Sequence, residues 1–194
     1  MIKSPYLTAS QTAGPFFHDC LLRAGAHTPT LTTAATLGER IRITGRVLDG
    51  AGAGVPDALI EIWQANAAGR YNHPRDARDL PLDPTFAGFG RTGTDAEGGY
   101  WFETIRPGRV PFDGPRMQAA HICLAVFGRG LLNHLYTRLY FGDDPATASD
   151  PILLRVPAER RATLLAARED VGGRAVYRLD IVLQGVGETA FFQF

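Results

Sequence analysis

The sequence predicts a mainly β fold: a β-sandwich of two sheets with a long loop after the second strand, an N-terminal arm and one peripheral C-terminal helix. Three observations carry that prediction. Short runs alternate apolar with polar residues, glycines and prolines fall between the runs, and a single stretch has a helical composition. In residues 41–48, Ile41, Ile43 and Val47 alternate with Arg42, Thr44 and Arg46, the pattern of a half-buried strand. Asp49 and the run Gly50-Ala51-Gly52-Ala53-Gly54 then force a turn. Residues 58–64 form the next strand, with Glu61 between Ile60 and Ile62, and a hairpin of these two strands is the economical pairing. Between Tyr71 and Phe89 no periodicity survives, and three prolines among Asp and Arg residues mark a long loop. Loops of that length in a compact domain are usually functional. Further strands are expected at 100–105, 121–127, 135–141 and 176–184, the last alternating Tyr177, Leu179, Ile181 and Leu183 against Arg178 and Asp180. The helix is expected at 158–169, where Pro157 opens a run of Ala, Leu, Glu and Arg and Gly172-Gly173 closes it.

A chain of 194 residues, 45% of them hydrophobic, can bury a core of its own. It is read as one domain over 1–194, with residues 1–38 as the arm. Formal charge sums to zero with no run of like charges, which excludes the electrostatic footprint of a nucleic-acid-binding or anionic-membrane-binding protein. Residues 1–17 mix Lys3, Ser4, Pro5, Thr8 and Gln11 among apolar ones, so they lack the unbroken apolar core of a signal peptide. No stretch approaches the roughly 18 apolar residues of a spanning helix, and the cytoplasm is the default location. Two cysteines, Cys20 and Cys123, are too few for a disulfide framework and read as reduced thiols.

His121 and Cys123 lie two apart on an expected strand, so their side chains share a face and could converge on a metal. A hydrogen-bonded core histidine beside a small buried thiol is the commoner origin of such a pair. Tyr71, in Gly69-Arg70-Tyr71-Asn72-His73, opens the long loop and could offer a phenolate. Arg129, between Gly128 and Gly130, could meet a substrate carboxylate with both arms of its guanidinium. In Thr12-Ala13-Gly14-Pro15, Gly14 has no side chain to obstruct a close approach of backbone to ligand. Gly-rich phosphate loops, the Gly-x-Ser-x-Gly elbow and paired-cysteine zinc spacing are all missing.

The run from Asp49-Gly50 through Ala58-Leu59-Ile60-Glu61-Ile62-Trp63-Gln64-Ala65-Asn66 to Gly69-Arg70-Tyr71 resembles the signature of intradiol ring-cleavage dioxygenases. Phe89-Gly90-Arg91-Thr92, Gly98-Gly99-Tyr100, Thr104-Ile105-Arg106-Pro107-Gly108, Ala120-His121-Ile122, Thr137-Arg138-Leu139-Tyr140-Phe141 and Tyr177-Arg178-Leu179-Asp180-Ile181 continue it in order over nearly the whole chain. The run Ser10 to Pro15 and the stretch from Gly185 to Phe194 are similar to the members built from homologous α and β chains. The resemblance implies a mononuclear ferric ion held by two tyrosines and two histidines in the catalytic chain. It also implies O2-dependent opening of a catechol ring between its hydroxyl-bearing carbons, and a large symmetric hetero-oligomer.

The sequence departs from that ligand pattern at two of the four positions. Tyr71 and His121 stand where a tyrosine and a histidine ligand belong, whereas Val110 and Cys123 replace the second tyrosine and the second histidine. Gln118 occupies the place of an arginine in the catalytic chain. Hard ferric iron is served by anionic oxygen donors, and valine has no donor atom at all. The resemblance therefore implies the α-type, non-iron-binding chain, with no catalytic residue and no metal of its own, inactive without a β partner that binds Fe(3+). It further implies that Thr12, Ala13, Gly14 and Pro15 line the partner's pocket, while Tyr71 and Arg129 lie near its opening and favour a carboxylate-bearing catechol. Two alternatives stay open on the residues: a stand-alone metalloprotein using Tyr71, His121 and Cys123, or a non-catalytic binding or scaffold sandwich.

Overall fold

Strand β1 (Arg40–Leu48) alternates buried and partly exposed residues along its length in the computed structural model, which describes residues 11–193. The expected positions 1–10 of the arm, Ser10 among them, and Phe194 lie outside the described residues, as does the side chain of Pro15. Strands β2 (Leu59–Trp63), β3 (Phe89–Gly93), β4 (Gly99–Ile105), β7 (His121–Phe127) and β8 (Leu135–Phe141) follow, with the short pair β5 (Val110–Pro111) and β6 (Met117–Gln118) between them. Strands β9 (Leu165–Val171), β10 (Arg174–Arg178) and β11 (Ile181–Val182) complete the set. All but β5 and β6 join one sheet in the order β11-β1-β10-β9-β8-β7-β2-β3, with β4 on β1. Both β10 and β11 run parallel to β1 along one edge, and β4 runs antiparallel along the other. The sheet folds over on itself at β9, which pairs with β10 on one side and β8 on the other, so two layers enclose the core.

That architecture corrects the expected hairpin of β1 and β2. Ile41, Ile43 and Val47 of β1 and Ile60 and Ile62 of β2 all enter one buried cluster, packed across the sandwich from one another. Neighbours in one sheet layer cannot face each other, so burial sends β1 to β4 and β10 and β2 to β3 and β7. Strand β3 ends the sheet path and β4 is the outer neighbour of β1, and residues 28–31 close the seam between them. Thr28 bridges Arg91 of β3 and Thr30 bridges Glu103 of β4. The Thr28 N–H donates to the Arg91 carbonyl at 2.9 Å and that of Leu31 to the Glu103 carbonyl at 2.8 Å, so neither edge is left open.

The helix expected over 158–169 is also corrected. A 3-10 helix spans Ala158–Leu164, and the chain then extends as β9. Helix-favouring composition yields to pairing there. Gly172 and Gly173, at φ of 58° and 78°, make the tight turn that joins Val171 to Arg174 as a hairpin. Leu164 meanwhile packs with Ala119, Tyr140, Leu153, Val156 and Ala190 in a second buried cluster. An α-helix that the sequence did not announce, α1 (Pro15–Leu21), lies in the arm. Among the described residues no helix is long and apolar enough to cross a membrane, and Cys20 and Cys123 are both free thiols.

The expected strand 176–184 breaks at Leu179, where the backbone crosses Gly45. The Leu179 N–H donates to the Thr44 carbonyl at 2.9 Å, its carbonyl accepts from Tyr100 Oη at 2.7 Å, and Asp180 accepts from the Arg46 N–H at 2.9 Å. A Cβ on Gly45 would lie 1.8 Å from the Leu179 oxygen. Gly45→Ala should therefore destabilise the fold by about 3 kcal/mol or more, as overpacking against backbone does. In Gly128→Ala the added carbon meets only Leu131 Cδ1, at 3.7 Å, so the effect should stay below about 1 kcal/mol. Denaturant unfolding of the two variants side by side measures the difference.

Candidate functional site

Register across β2, β7 and β8 sets three side chains in a row on one face: Trp63 opposite Cys123, and Cys123 opposite Arg138. The adjoining row places His121 opposite Tyr140, with ring centroids 5.8 Å apart. Between the rows, Ile122 and Leu139 point the other way, into the core. One face of this layer is thus committed to packing, and the other is free to build a site.

The long loop after β2 folds over that face. Asn66 Oδ1 accepts from the N–H groups of Ala68 and Arg70, both at 3.0 Å, while its amide donates to the Pro81 carbonyl at 2.8 Å. Asp76 accepts from the Tyr71 N–H at 2.8 Å and from Arg78 Nε at 2.7 Å, and Arg78 Nη2 reaches the Gly69 carbonyl at 2.7 Å. Gly69 sits at φ 79° with the Arg109 carbonyl 2.1 Å from where a Cβ would be, so only glycine lets the loop press against the turn that leads to Val110. The result is a Tyr71 ring stacked on Trp63, centroids 5.8 Å apart and 11° from parallel.

Together these elements bound a cavity of about 940 Å³ whose lining includes Trp63, Tyr71, Arg78, Val110, Gln118, His121 and Arg138. His121 is buried, and its Nδ1 lies 2.8 Å from the Ala119 carbonyl, which can only accept. Nδ1 therefore carries the proton, and Nε2 keeps the lone pair. Burial, reinforced by the Arg138 charge, pulls the imidazole pKa down to about 4. Burial and the neighbouring Cys123 push the Tyr71 phenol up to about 12, against the pull of Arg138. The Cys123 thiol is likewise raised by burial, so at neutral pH both groups keep their protons. Arg138 Nη1 donates to Gln118 Oε1 at 2.8 Å and to Tyr140 Oη at 3.3 Å. Tyr140 in turn donates to Asp150 at 3.0 Å.

The four positions that would hold a ferric ion do not fit one here. Tyr71, Val110 and His121 do come to one cavity, with Cys123 beside them on β7. Val110 is buried and brings no donor atom, and Cys123 offers a soft sulfur where a hard ion is served by nitrogen or oxygen. A guanidinium already lies among them: the Arg138 charge acts on Tyr71, His121 and Cys123 alike. Among the described residues no group of three or more His, Cys, Asp and Glu side chains is placed to hold a metal.

The remaining expected site residues lie apart from this cavity. Thr12, Ala13 and Gly14 line a second hollow with Phe17, Phe127 and the β7–β8 loop, and Thr12 Oγ1 accepts from the Gly130 N–H at 2.7 Å. Backbone of Pro15 starts α1 beside them. Arg129 projects from the same loop, exposed, with Nη2 2.8 Å from Asp57. The structure therefore joins Thr12, Ala13, Gly14 and Arg129 in one region and places Tyr71 in another. Sequence reasoning passed over Trp63, Arg78 and Arg138. Alternation on the strand could have found Arg138, because it shares a face with Tyr140.

A family model described as dioxygenase matches residues 12–185. The chain is 44% identical over 196 residues to the protocatechuate 3,4-dioxygenase alpha chain of Burkholderia cepacia, covering 95% of this chain and 96% of that one. It is 42% identical over 182 residues to the beta chain of the same organism, covering 91% of this chain and 75% of that one. Its fold is similar to the dioxygenase domain of a dioxygenase–carbohydrate-binding protein fusion from Streptomyces sp. SirexAA-E, with TM-score 0.63 at 23% identity over 98% of this chain and 97% of that one.

The neutral His121 gives stability a pH dependence with a defined sign. Its folded pKa of about 4 lies below the ordinary value of 6.5, so the unfolded chain takes up the proton first as pH falls. The contribution is complete above pH 6.5 and lost as pH drops through 4, a change of about 3 kcal/mol. Unfolding free energies at pH 7 and pH 4 should differ by about that much more in the wild-type protein than in His121→Gln. Equal differences in the two would refute it.

Proposed function

The chain belongs to the intradiol ring-cleavage dioxygenase family, and we propose that within it this is the α, non-iron-binding subunit of a protocatechuate 3,4-dioxygenase. With a homologous β subunit it takes part in cleaving 3,4-dihydroxybenzoate with O2 to 3-carboxy-cis,cis-muconate, a step of aromatic catabolism carried out in the cytoplasm. The observation that carries this reading is the pair Val110 and Cys123 at two of the four ligand positions, with the Arg138 guanidinium opposite Cys123. Identity alone separates the two chain types poorly, at 44% against 42%, whereas the β relative is matched over only 75% of its length. Fe(3+) belongs to the β chain in this reading, and no step of the chemistry runs through residues of this one.

The role of this chain is to complete the pocket. The reading takes residues 1–194 as one domain whose arm, residues 1–38, reaches the partner with Thr12, Ala13, Gly14 and Pro15 as pocket wall. Phe16, 81% exposed, and Leu132, 62% exposed, stand on the arm and the β7–β8 loop as apolar surface for such a contact. Arg129 is exposed, and its charge can steer a carboxylate-bearing substrate toward that pocket. Its pair with Asp57 is exposed and worth only about 0–1 kcal/mol, so exchanging Asp57 for a substrate carboxylate costs little. Tyr71 is assigned a place near the opening, on the side of the loop that covers its own cavity.

Purified alone, this chain should be colourless and iron-free; combined with its β partner it should give the colour of tyrosinate-to-iron charge transfer and ring cleavage. Iron-dependent colour and turnover by the isolated chain would sink the proposal. In the assembled enzyme Arg129→Leu should raise KM for 3,4-dihydroxybenzoate about tenfold with kcat little changed, the loss expected of one charge-assisted contact. An unchanged KM removes Arg129 from the pocket. Deleting residues up to Pro15 should impair turnover more than assembly, as gel filtration and initial rates together would reveal.

A further inference from the structure

Three guanidinium groups line the cavity over β2, β7 and β8, those of Arg75, Arg78 and Arg138, against a single carboxylate, Asp76, which Arg78 already binds. Arg138 is half-buried; it donates to the Gln118 and Tyr140 oxygens, lies beside the Cys123 thiol and 5.9 Å from the Phe192 ring centroid, and meets the Asp150 carboxylate only across Tyr140. Among the described residues no carboxylate pairs with it. A half-buried cation with no carboxylate in direct contact attracts an anion of matching shape, and a guanidinium matches a carboxylate through two parallel N–H donors. Beside it stand the stacked rings of Trp63 and Tyr71, a platform for a planar ring. His121 Nε2, left with its lone pair because Nδ1 serves the Ala119 carbonyl, is an acceptor on the same lining.

We infer that this cavity is a metal-free binding site for a hydroxylated aromatic carboxylate. The acid group pairs with Arg138, the ring lies against Trp63 and Tyr71, and the ring hydroxyl is offered to His121. The volume of about 940 Å³ accommodates a one-ring acid with accompanying water. An inorganic anion would use the guanidinium but none of the aromatic surface. The site is formed by this chain's own residues.

Calorimetric titration of 4-hydroxybenzoate into the complete protein tests it, with stoichiometry counted per copy of this chain. Sites on any partner chain are common to all variants and cancel in the difference. Arg138→Gln should lower the stoichiometry by one. Arg138→Lys keeps the charge at that position but loses the two-armed geometry, and should weaken that site about tenfold. Cyclohexanecarboxylate and inorganic phosphate should each bind it at least about tenfold more weakly than the aromatic acid, for want of a ring face. Unchanged stoichiometry and affinity in Arg138→Lys overturn the inference, as does phosphate competing as well as the aromatic acid.

Discussion

A carboxylate with no exposure to water, Asp150, ties the cavity to the rest of the protein. It accepts from the N–H groups of Ala119, Ile152 and Leu153 at 2.7, 2.9 and 2.8 Å and from Tyr140 Oη at 3.0 Å. The four bonds reach three different parts of the structure. Ala119 leads into β7, and its carbonyl orients His121; Tyr140 belongs to β8 and touches Arg138; Ile152 and Leu153 begin the helical turns that cover the second core. A buried charge survives in a protein only when its acceptor sites are filled, and here they are filled by groups that must stay in register. The floor of the cavity is therefore as rigid as the core beneath it.

Upon that floor the cation that the side chains surround is a guanidinium, that of Arg138. A ferric ion needs anionic oxygen donors converging on a point, whereas a guanidinium is satisfied by neutral oxygens arranged around a plane. Gln118 and Tyr140 suit the second requirement. Tyr71 and His121 keep their places, each held neutral chiefly by burial, which the Arg138 charge reinforces at His121 and opposes at Tyr71. Because the fold positions these side chains through backbone register, donor loss at Val110 and Cys123 leaves the geometry of the pocket standing. Competence can be lost while architecture is kept, and a chain in that condition remains useful as a wall, a support or a separate receptor.

Much of this was legible in the sequence, and what was not has physical reasons. Strands β7 and β8 fall on the residues that alternation marked, because each buries one face and presents the other. Pairing was less accessible: β1 and β2 are neighbours in sequence, yet their apolar faces need each other across the core. Strand β9 was hidden by Ala166, Ala167, Arg168 and Glu169, residues at ease in a helix, and only the hairpin with β10 makes them extended. At the site, the motif positions Tyr71, Val110, His121 and Cys123 were visible as letters. The roles of Trp63 and Arg138 depended on strand register and on a loop folding back, neither of which a single strand records. Asp150 gave no signal, since its partners lie up to 31 residues away.

The parallel pairing of β1 also shapes how the chain is made. As the polypeptide emerges, β4 can cover one edge of β1 once Ile105 has appeared, but the other edge waits for β10, where Ile41 meets Ala175. At ordinary rates of synthesis that edge stays unpaired for several seconds, a strand inviting any other strand to add to it. Arg40, Arg42 and Arg46 punctuate it with like charges that discourage such encounters. The sandwich is consequently closed only when β10, near the end of the chain, returns to β1. Nascent chains stalled before residue 174 are the ones for which a chaperone matters most.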